Sequence, residues 1–384
     1  MVRKQTTMKK KPSGGGGPTT SPSPLAATTT TSRNADDAPP SPLPSLSIPQ
    51  QQRLLNHFAA AFASALSDAN LPQRLQAIKQ ALYRRDFAAA FGREDHLAAY
   101  AARWSPTRAL CYAAVFQHHL APHLDSSSST SSSSLSQSSA ATTTKMICVG
   151  GCAAEHVAFA SYLAHHHHHQ QQQQQQHPAR GSLTLLDSAP WAGVASTMQA
   201  TLTTPLPLSK HASAAAANAP PLLSTPAHLR LRVLQQDALE LTETQWADVM
   251  TANDDEDAAA AAVVVVTLLF TLNELYTSGG VGKTTRFLGA LEAALPDGAL
   301  LLVVDSPGSY SEAAVGKDRK KYPMQWLLHH TLTGRAGARE REWTRLESHD
   351  SLWFRLSDQL TYPIQLENMR YQLHLYRIDR KSPT

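Results

Sequence analysis

The chain has 384 residues, a formal net charge of +4 and 42% hydrophobic residues, enough for one sizeable core plus a small helical region once its low-complexity stretches are set aside. So modest a basic excess permits an RNA partner without arguing for one, and three cysteines are too few and too unevenly spaced for a disulfide framework or a four-ligand zinc site, which fits a reducing compartment. No apolar run approaches the roughly 20 residues of a membrane span, so no membrane partner is expected.

Residues 1–50 open with the basic run MVRKQTTMKKK and continue Ser/Thr/Pro-rich, with no acidic residue before Asp36. They read as a disordered tail. Lys9 to Lys11 leave a nuclear or nucleolar signal open, and the lack of early acidic residues a mitochondrial presequence, for which the arginine content is low. Residues 51–124 carry helical spacing, as in RLLNHFAAAFASAL, and predict three or four amphipathic helices with turns at Ala69-Asn70 and Phe91-Gly92. The last is expected to start with Ser105 as N-cap and Pro106 at the first helical position. It would carry Arg108, Leu110, Tyr112 and Phe116 toward the core as a packing helix.

Residues 125–144 are a Ser/Thr linker. An internal His/Gln run, His165 to His177, falls inside a crossover. A homopolymer lacks the surrounding groups that fix a metal ligand, so no obligate metal is expected. Ser209–Pro221 and Asn253–Ala262 read as solvated loop expansions. What remains, residues 145–380, alternates apolar strands (Met146–Val149, Leu183–Leu186, Leu229–Leu234, Val263–Phe270, Ala299–Val304) with helices (Ala153–Ala164, Trp191–Thr201, Leu239–Met250, Thr284–Leu295). Such alternation predicts an α/β fold with a mostly parallel sheet covered on both faces. A helix at Pro323–Leu332, a segment Ser351–Leu356 and a strand Tyr371–Ile378 follow, and a hairpin-like pair of late strands is the simplest account of the end.

The first strand meets Gly150 and Gly151 and turns into an Ala-rich helix, an order that presents backbone N–H groups to a nucleotide-like ligand. Asp187 ends the second strand; discounting His165–His177 it lies about 24 residues after Gly150, near the ~20 expected of a ribose-binding carboxylate. Asp237 stands at the third strand's tip, where it suits an exocyclic amine, although either Asp can serve as a helix N-cap. The later glycines of G-x-G-x-x-G are missing, which favours S-adenosylmethionine over a dinucleotide. Phe270 ends the fourth strand. Asn273 and Glu274 beyond it either address a substrate or cap the next helix, and both readings stay open. Gly279–Thr285, with Asp305, offers an alternative P-loop ATPase reading. Against it, Thr277 replaces the first glycine and TLNELYT separates the strand from the loop.

The tracts VGGCAAEH, LLDSAPW, VTLLFTLNELYTSG, LLVVDSPGSYSE, KYPMQWLL and TYPIQLENMRYQLHLYRI, with YAARWSPTRALCYA before them, resemble the fungal 25S (large-subunit) ribosomal RNA uridine-N(3)-methyltransferases over roughly Tyr100 to Ile378. The resemblance implies a Rossmann-like, seven-stranded class I methyltransferase sheet, S-adenosylmethionine as donor, and ribosomal RNA or a pre-ribosome as substrate. It maps Gly150, Gly151, Asp187 and Asp237 to the cofactor; Phe270 is a further cofactor candidate, and Glu274, with Asn273, is the candidate at the target base, where a carboxylate would take the imide proton of uracil. The base must be unpaired or flipped out. Tyr310 and Trp353, or Phe354, are the candidates to stack on it, and Arg370 with Arg377 to hold phosphates. FTLNEL differs from the Asn/Asp-Pro-Pro-aromatic motif of many amino-group methyltransferases, and no Cys stands there for attack on a pyrimidine carbon. A monomer in the nucleus, nucleolus or cytoplasm is expected. The competing classes are a methyltransferase of a small molecule or protein, the ATPase, and a non-catalytic relic of the fold.

Overall fold

The structure, a computed structural model, describes residues 46–127, 143–172, 180–207, 220–225, 228–251, 262–308, 310–315, 318–334 and 340–381. Most of the expected disordered tail, Ser/Thr linker and loop expansions, and the end of the His/Gln run, lie outside these residues. Helices α1 (Ile48–Ala61), α2 (Ala63–Ser67), α3 (Leu71–Tyr83), α4 (Phe87–Phe91), α5 (Glu94–Arg103), α6 (Ser105–Val115) and α7 (Ala121–Ser127) come first, a π-helical turn at Phe116–Leu120 joining the last two. Ser47 and Gln50 form a capping box on α1, and Asp86 accepts from the Ala89 N–H at the start of α4 (3.0 Å). The cap expected at Ser105 is displaced by one residue. Trp104 leaves α5 still in the right-handed helical region (φ −105°), so the chain never extends to aim a serine cap, and Ser105 and Pro106 both stand inside α6.

The α/β part follows as β1 (Thr143–Val149), α8 (Ala153–Gln172), β2 (Arg180–Asp187), α9 (Ala192–Thr203), β3 (Leu229–Gln235), α10 (Glu243–Thr251), β4 (Val263–Leu269), α11 (Leu272–Ala294), β5 (Leu300–Asp305), β6 (Tyr310–Val315), β7 (Asp318–Pro323), α12 (Met324–Thr333), β8 (Arg341–Phe354) and β9 (Met369–Arg380). Strands order as β3-β2-β1-β4-β5-β9-β8, with β6 and β7 a separate hairpin. The first five are parallel; β9 runs antiparallel between β5 and β8. This is the α/β, seven-stranded class I methyltransferase sheet that the resemblance implies. Continuous apolar strands such as VVVVTLL and LLLVVD are required because side chains alternate between two covered faces. Met146, Cys148, Leu300 and Leu302 enter one core with α1, α6, α8 and α9; Ile147, Val149, Leu301 and Val303 enter the other with α10, α11 and α12. Four connections, Ser127 to Thr143, Gln172 to Arg180, Thr203 to Leu229 and Thr251 to Val263, each lead from a helix into the amino end of a parallel strand.

Three expectations change. The stretch after β4 is not a loop opening a helix at Thr284: α11 starts at Leu272 and kinks at Gly280 (φ 64°, ψ 178°). The P-loop alternative loses its geometry there, because Lys283 pairs with Glu240 (2.5 Å) and the buried Thr284 hydroxyl donates to the carbonyls of Leu275 (3.0 Å) and Gly280 (2.9 Å). Asp305 instead accepts from the Asn273 N–H (3.0 Å), capping α11. Ser351–Leu356 is no separate segment either; most of it is the end of β8, whose register shifts between Arg345 and Glu347 and between His349 and Leu352 break the period-two pattern that would reveal a long strand.

Helix α6 approaches α8 closely because Ala109, Ala113 and Ala114 face a neighbour rich in Ala154 and Ala158, all buried. Ala113→Leu is expected to destabilise the fold by about 1–3 kcal/mol through overpacking, read as a lower midpoint in urea denaturation.

Candidate active site

A cleft of about 580 Å³ opens at the carboxyl ends of β1, β2, β3 and β4, where open α/β sheets bind ligands. Of the residues expected at the cofactor and the target base, Gly150, Gly151, Asp187, Asp237, Phe270 and Glu274 all line it. Gly150 has φ +74°, and a Cβ there would meet the Thr271 side chain at 2.4 Å. A Cβ on Gly151 would meet the Glu155 carboxyl carbon at 2.6 Å. Gly150 therefore needs glycine, a Cβ at Gly151 would have to push the Glu155 side chain aside, and the floor of the cleft is bare backbone. Thr271 donates its hydroxyl to the Gly150 carbonyl (3.2 Å), joining the turn after β1 to that after β4.

Asp187 accepts from the Ala189 N–H (2.7 Å) and Asp237 from the Leu239 N–H (2.9 Å), so each carboxylate is held at its strand tip by its own turn. Burial, with the nearby Asp237, raises the Asp187 carboxyl to about 6 against the opposing hydrogen bonds. Phe270 adopts φ 59° without being glycine, a conformation that costs on the order of 1–3 kcal/mol. Its N–H donates to the Val304 carbonyl (2.6 Å), and the Arg108 guanidinium lies 4.7 Å from its ring centroid. Glu274 sits in the first turn of α11. Burial lifts its carboxyl to about 7, with Arg108 opposing and Asp187 and Asp305 adding to the rise.

Asn273 is also within the first turn, its N–H on Asp305, and does not line the cleft. Neither residue caps α11. Trp353 and Arg370 lie elsewhere: they face each other across β8 and β9, at the sheet end of the cleft, since Gln372 pairs with Asp305. Trp353 is 52% exposed between the guanidinium groups of Arg355 (5.0 Å) and Arg370 (5.8 Å). Phe354 is buried core, which removes it as a stacking platform, and Arg377 pairs with Asp379 (2.8 Å) at the opposite end of the sheet, beside Leu300. Tyr310 begins β6; its side chain is outside the described set.

Sequence reasoning misses the cleft's roof. Helix α6 is no mere packing helix, since Arg108 lines the cleft along with Phe87, Phe91 and Tyr100 from α4 and α5. Arg108 donates to the Tyr100 hydroxyl (2.5 Å). Burial works against its charge, yet Tyr100, Tyr112, Glu155 and Glu274 together hold it above its ordinary value. Glu155 accepts from the Cys152 N–H (2.8 Å), and burial raises it to about 7. The available signal was one charge, Arg108, inside the otherwise apolar helix PTRALCYAAVF.

The acidic and basic side chains in the lining are thus four carboxyls, Glu155, Asp187, Asp237 and Glu274, against one guanidinium, Arg108. A cleft of that balance suits a cationic nucleoside and opposes a pyrophosphate or triphosphate. The glycine floor, the two carboxylates at strand tips and this charge fit S-adenosylmethionine, whose sulfonium and ammonium are positive. Gly150→Ala is expected to weaken S-adenosylhomocysteine binding at least tenfold in calorimetry, since it adds both the clash and a left-handed strain of about 1–2 kcal/mol. Adding Thr271→Ala is expected to restore part of the affinity by removing the clash alone.

Comparison with known proteins agrees. Residues 58–377 match a family of SAM-dependent methyltransferases. Over 311 residues, 80% of this chain and 78% of the relative, the chain is 28% identical to the 25S rRNA (uridine(2843)-N(3))-methyltransferase of Saccharomyces cerevisiae. Among solved structures it is similar to the 16S rRNA (adenine(1408)-N(1))-methyltransferase of Catenulisporales acidiphilia (16% identical, 62% of this chain and 89% of that one, TM-score 0.29). Another is the N-methyltransferase NodS of Bradyrhizobium japonicum WM9 in complex with S-adenosylhomocysteine (11% identical, 61% and 77%, TM-score 0.27). TM-scores this low carry no argument, and the fold rests on the strand order itself. By its sequence match over most of its length, the chain belongs to the SAM-dependent methyltransferase family.

Proposed function

We propose that the protein methylates N(3) of a uridine in large-subunit ribosomal RNA, with Glu274 taking the imide proton. The observation that carries the chemistry is Glu274 itself: a largely buried carboxyl in the cleft, facing Arg108 and raised to about 7. A base for a weakly acidic N–H works best when its own proton affinity is near the working pH. The target is supported by the yeast relative, whose name gives a uridine N(3) in 25S rRNA.

S-adenosylmethionine, when bound, supplies an electrophilic methyl group. The chain's residues do the rest. Gly150 and Gly151 admit the cofactor to the backbone, while Asp187 and Asp237 receive its ribose hydroxyls and adenine amine. Arg108 draws the proton equilibrium of Glu274 downward. Phe270 and the roof residues Phe91 and Tyr100 limit water around the reacting atoms. Asn273 stands outside the cleft lining, and its N–H on Asp305 fixes the start of the helix that carries Glu274; positioning supplies the largest share of the rate.

Beyond the cleft, Trp353 with Arg355 and Arg370 offers an exposed indole flanked by two cations, a surface suited to stacking a base and pairing its phosphates. Tyr310, at the start of the β6 hairpin, is kept as a further candidate to stack on the base. The reading includes a monomer that acts on rRNA or a pre-ribosome in the nucleus, nucleolus or cytoplasm.

Mass spectrometry of ribosomal RNA nucleosides from cells with and without the protein tests the reaction: loss of 3-methyluridine is expected, and unchanged methyluridines would sink it. Methylation is expected to rise with pH through about 7, the value to which Glu274 is raised. Glu274→Gln should flatten that rise and lower kcat by roughly 10²–10⁴-fold. Stability follows the opposite sign. Between the ordinary 4.5 and about 7 the folded state holds a proton on Glu274 that the unfolded chain has released, so stability falls as pH rises through that window. Urea denaturation of the ligand-free protein should show the decline, reduced in Glu274→Gln. Trp353→Ala is expected to weaken RNA binding by about 1–3 kcal/mol in a filter or fluorescence assay while leaving S-adenosylhomocysteine affinity unchanged.

A further inference from the structure

Away from the cleft, three imidazoles converge on one carboxylate. Nδ1 of His119 lies 2.5 Å from Oε2 of Glu347, Nε2 of His349 lies 3.4 Å from the same oxygen, and Nε2 of His123 lies 3.6 Å from Oε1. The donor atoms of His119, Glu347 and His349 all fall within 4.8 Å of one another. His119 is buried, with 8% side-chain exposure, while Glu347 and His123 are partly covered at 24% and 28%.

We propose that His119, His123, Glu347 and His349 form a structural zinc site that fastens the helical layer to the edge of the sheet. The sequence logic is local on each side. His119 and His123 are four residues apart on a continuous helical stretch, which puts them on one face. Glu347 and His349 are two apart on a strand, which puts them on one face too. The fold then sets one face against the other, across 228 residues of sequence, which is why no reading of local spacing finds the set.

Both backbones are irregular where they meet. His119 lies in the π-helical turn Phe116–Leu120, and π-turns gather at functional positions. The register shifts of β8 flank Glu347 to His349 on either side, and bulges re-aim side chains. A carboxylate accepting from imidazoles needs neither distortion. Two distortions that meet at His119, Glu347 and His349 suit a fixed coordination geometry. Three imidazole nitrogens and a carboxylate oxygen are zinc donors, and a tetrahedral ion would hold them roughly 3.4 Å apart, from bond lengths of about 2.0–2.2 Å. His119 and His349 lie 2.5 and 3.4 Å from Oε2 of Glu347, with the three donors within 4.8 Å of one another, and His123, 3.6 Å from the other carboxylate oxygen, turns inward to complete the set. With four protein donors the site is closed, so its role is to hold β8 and not to activate water.

The experiment uses the full chain with His165 to His169 and His177 replaced by glutamine, so that the homopolymer cannot contribute. Co²⁺ serves as the optical probe and Zn²⁺ as competitor. The expected result is one equivalent of Co²⁺ with the strong visible absorption of a tetrahedral N/O site, displaced by Zn²⁺, and a melting temperature that rises with Zn²⁺. His349→Asn and Glu347→Gln, added singly to this background, should each weaken the ion at least tenfold. The His349 side chain is 41% exposed, so His349→Asn should keep its circular dichroism and its S-adenosylhomocysteine affinity, which reports a folded chain. No tetrahedral absorption in the tract-replaced chain, or undiminished affinity in either variant, would overturn the proposal.

Discussion

A guanidinium taken out of water must be surrounded by partners or it will not stay buried. Arg108 meets that constraint by collecting groups from separate parts of the chain: the Tyr100 hydroxyl from α5, the Phe270 ring from the tip of β4, and the carboxyls of Glu155 on α8 and Glu274 on α11. The amino-terminal helices are thereby bound to the sheet by a polar centre as well as by the shared apolar core that joins Phe58 and Leu110 to Met146 and Leu300. The same charge is the one cation among the carboxylates of the cleft lining.

The irregular backbone of the cleft follows from that arrangement. Gly150 at φ +74° and Phe270 at φ 59° immediately follow the adjacent strands β1 and β4 and are linked through Thr271. Gly150 carries its conformation freely; Phe270 does not. Its strain persists because the Val304 carbonyl, the Arg108 guanidinium and the start of α11 leave it no alternative. The kink at Gly280 then lets the second part of α11 return along the sheet with Phe287, Leu288 and Leu291 buried.

Much of this was legible in the chain. Apolar runs located β1 to β5 within a few residues, and the spacing of Asp187 survived once the His/Gln run was discounted. Gly150, Gly151, Asp187, Asp237, Phe270 and Glu274 do converge on one cleft. What periodicity could not yield was anything depending on tertiary pairing. Arg108 looked like one charge on a packing helix because its partners come from four other elements. Phe354 and Trp353 are neighbours in sequence, and only the strand's two faces send one to the core and the other to solvent. Arg377 and Arg370 differ likewise only by which end of β9 they occupy. The P-loop-like run misled because glycines that kink a helix read the same as glycines that cradle phosphate.

The four helix-to-strand connections that enter β1, β2, β3 and β4 all reach the sheet at its amino edge, whereas the cleft occupies its carboxyl edge. The serine, histidine-glutamine, alanine and acidic tracts of the sequence fall in or beside those four connections. Lengthening a connection costs only about 0.6 kcal/mol per doubling, and on that side it perturbs no group that touches a ligand. The sheet therefore separates the two: one rim carries the chain's low-complexity tracts, and the other carries the cleft.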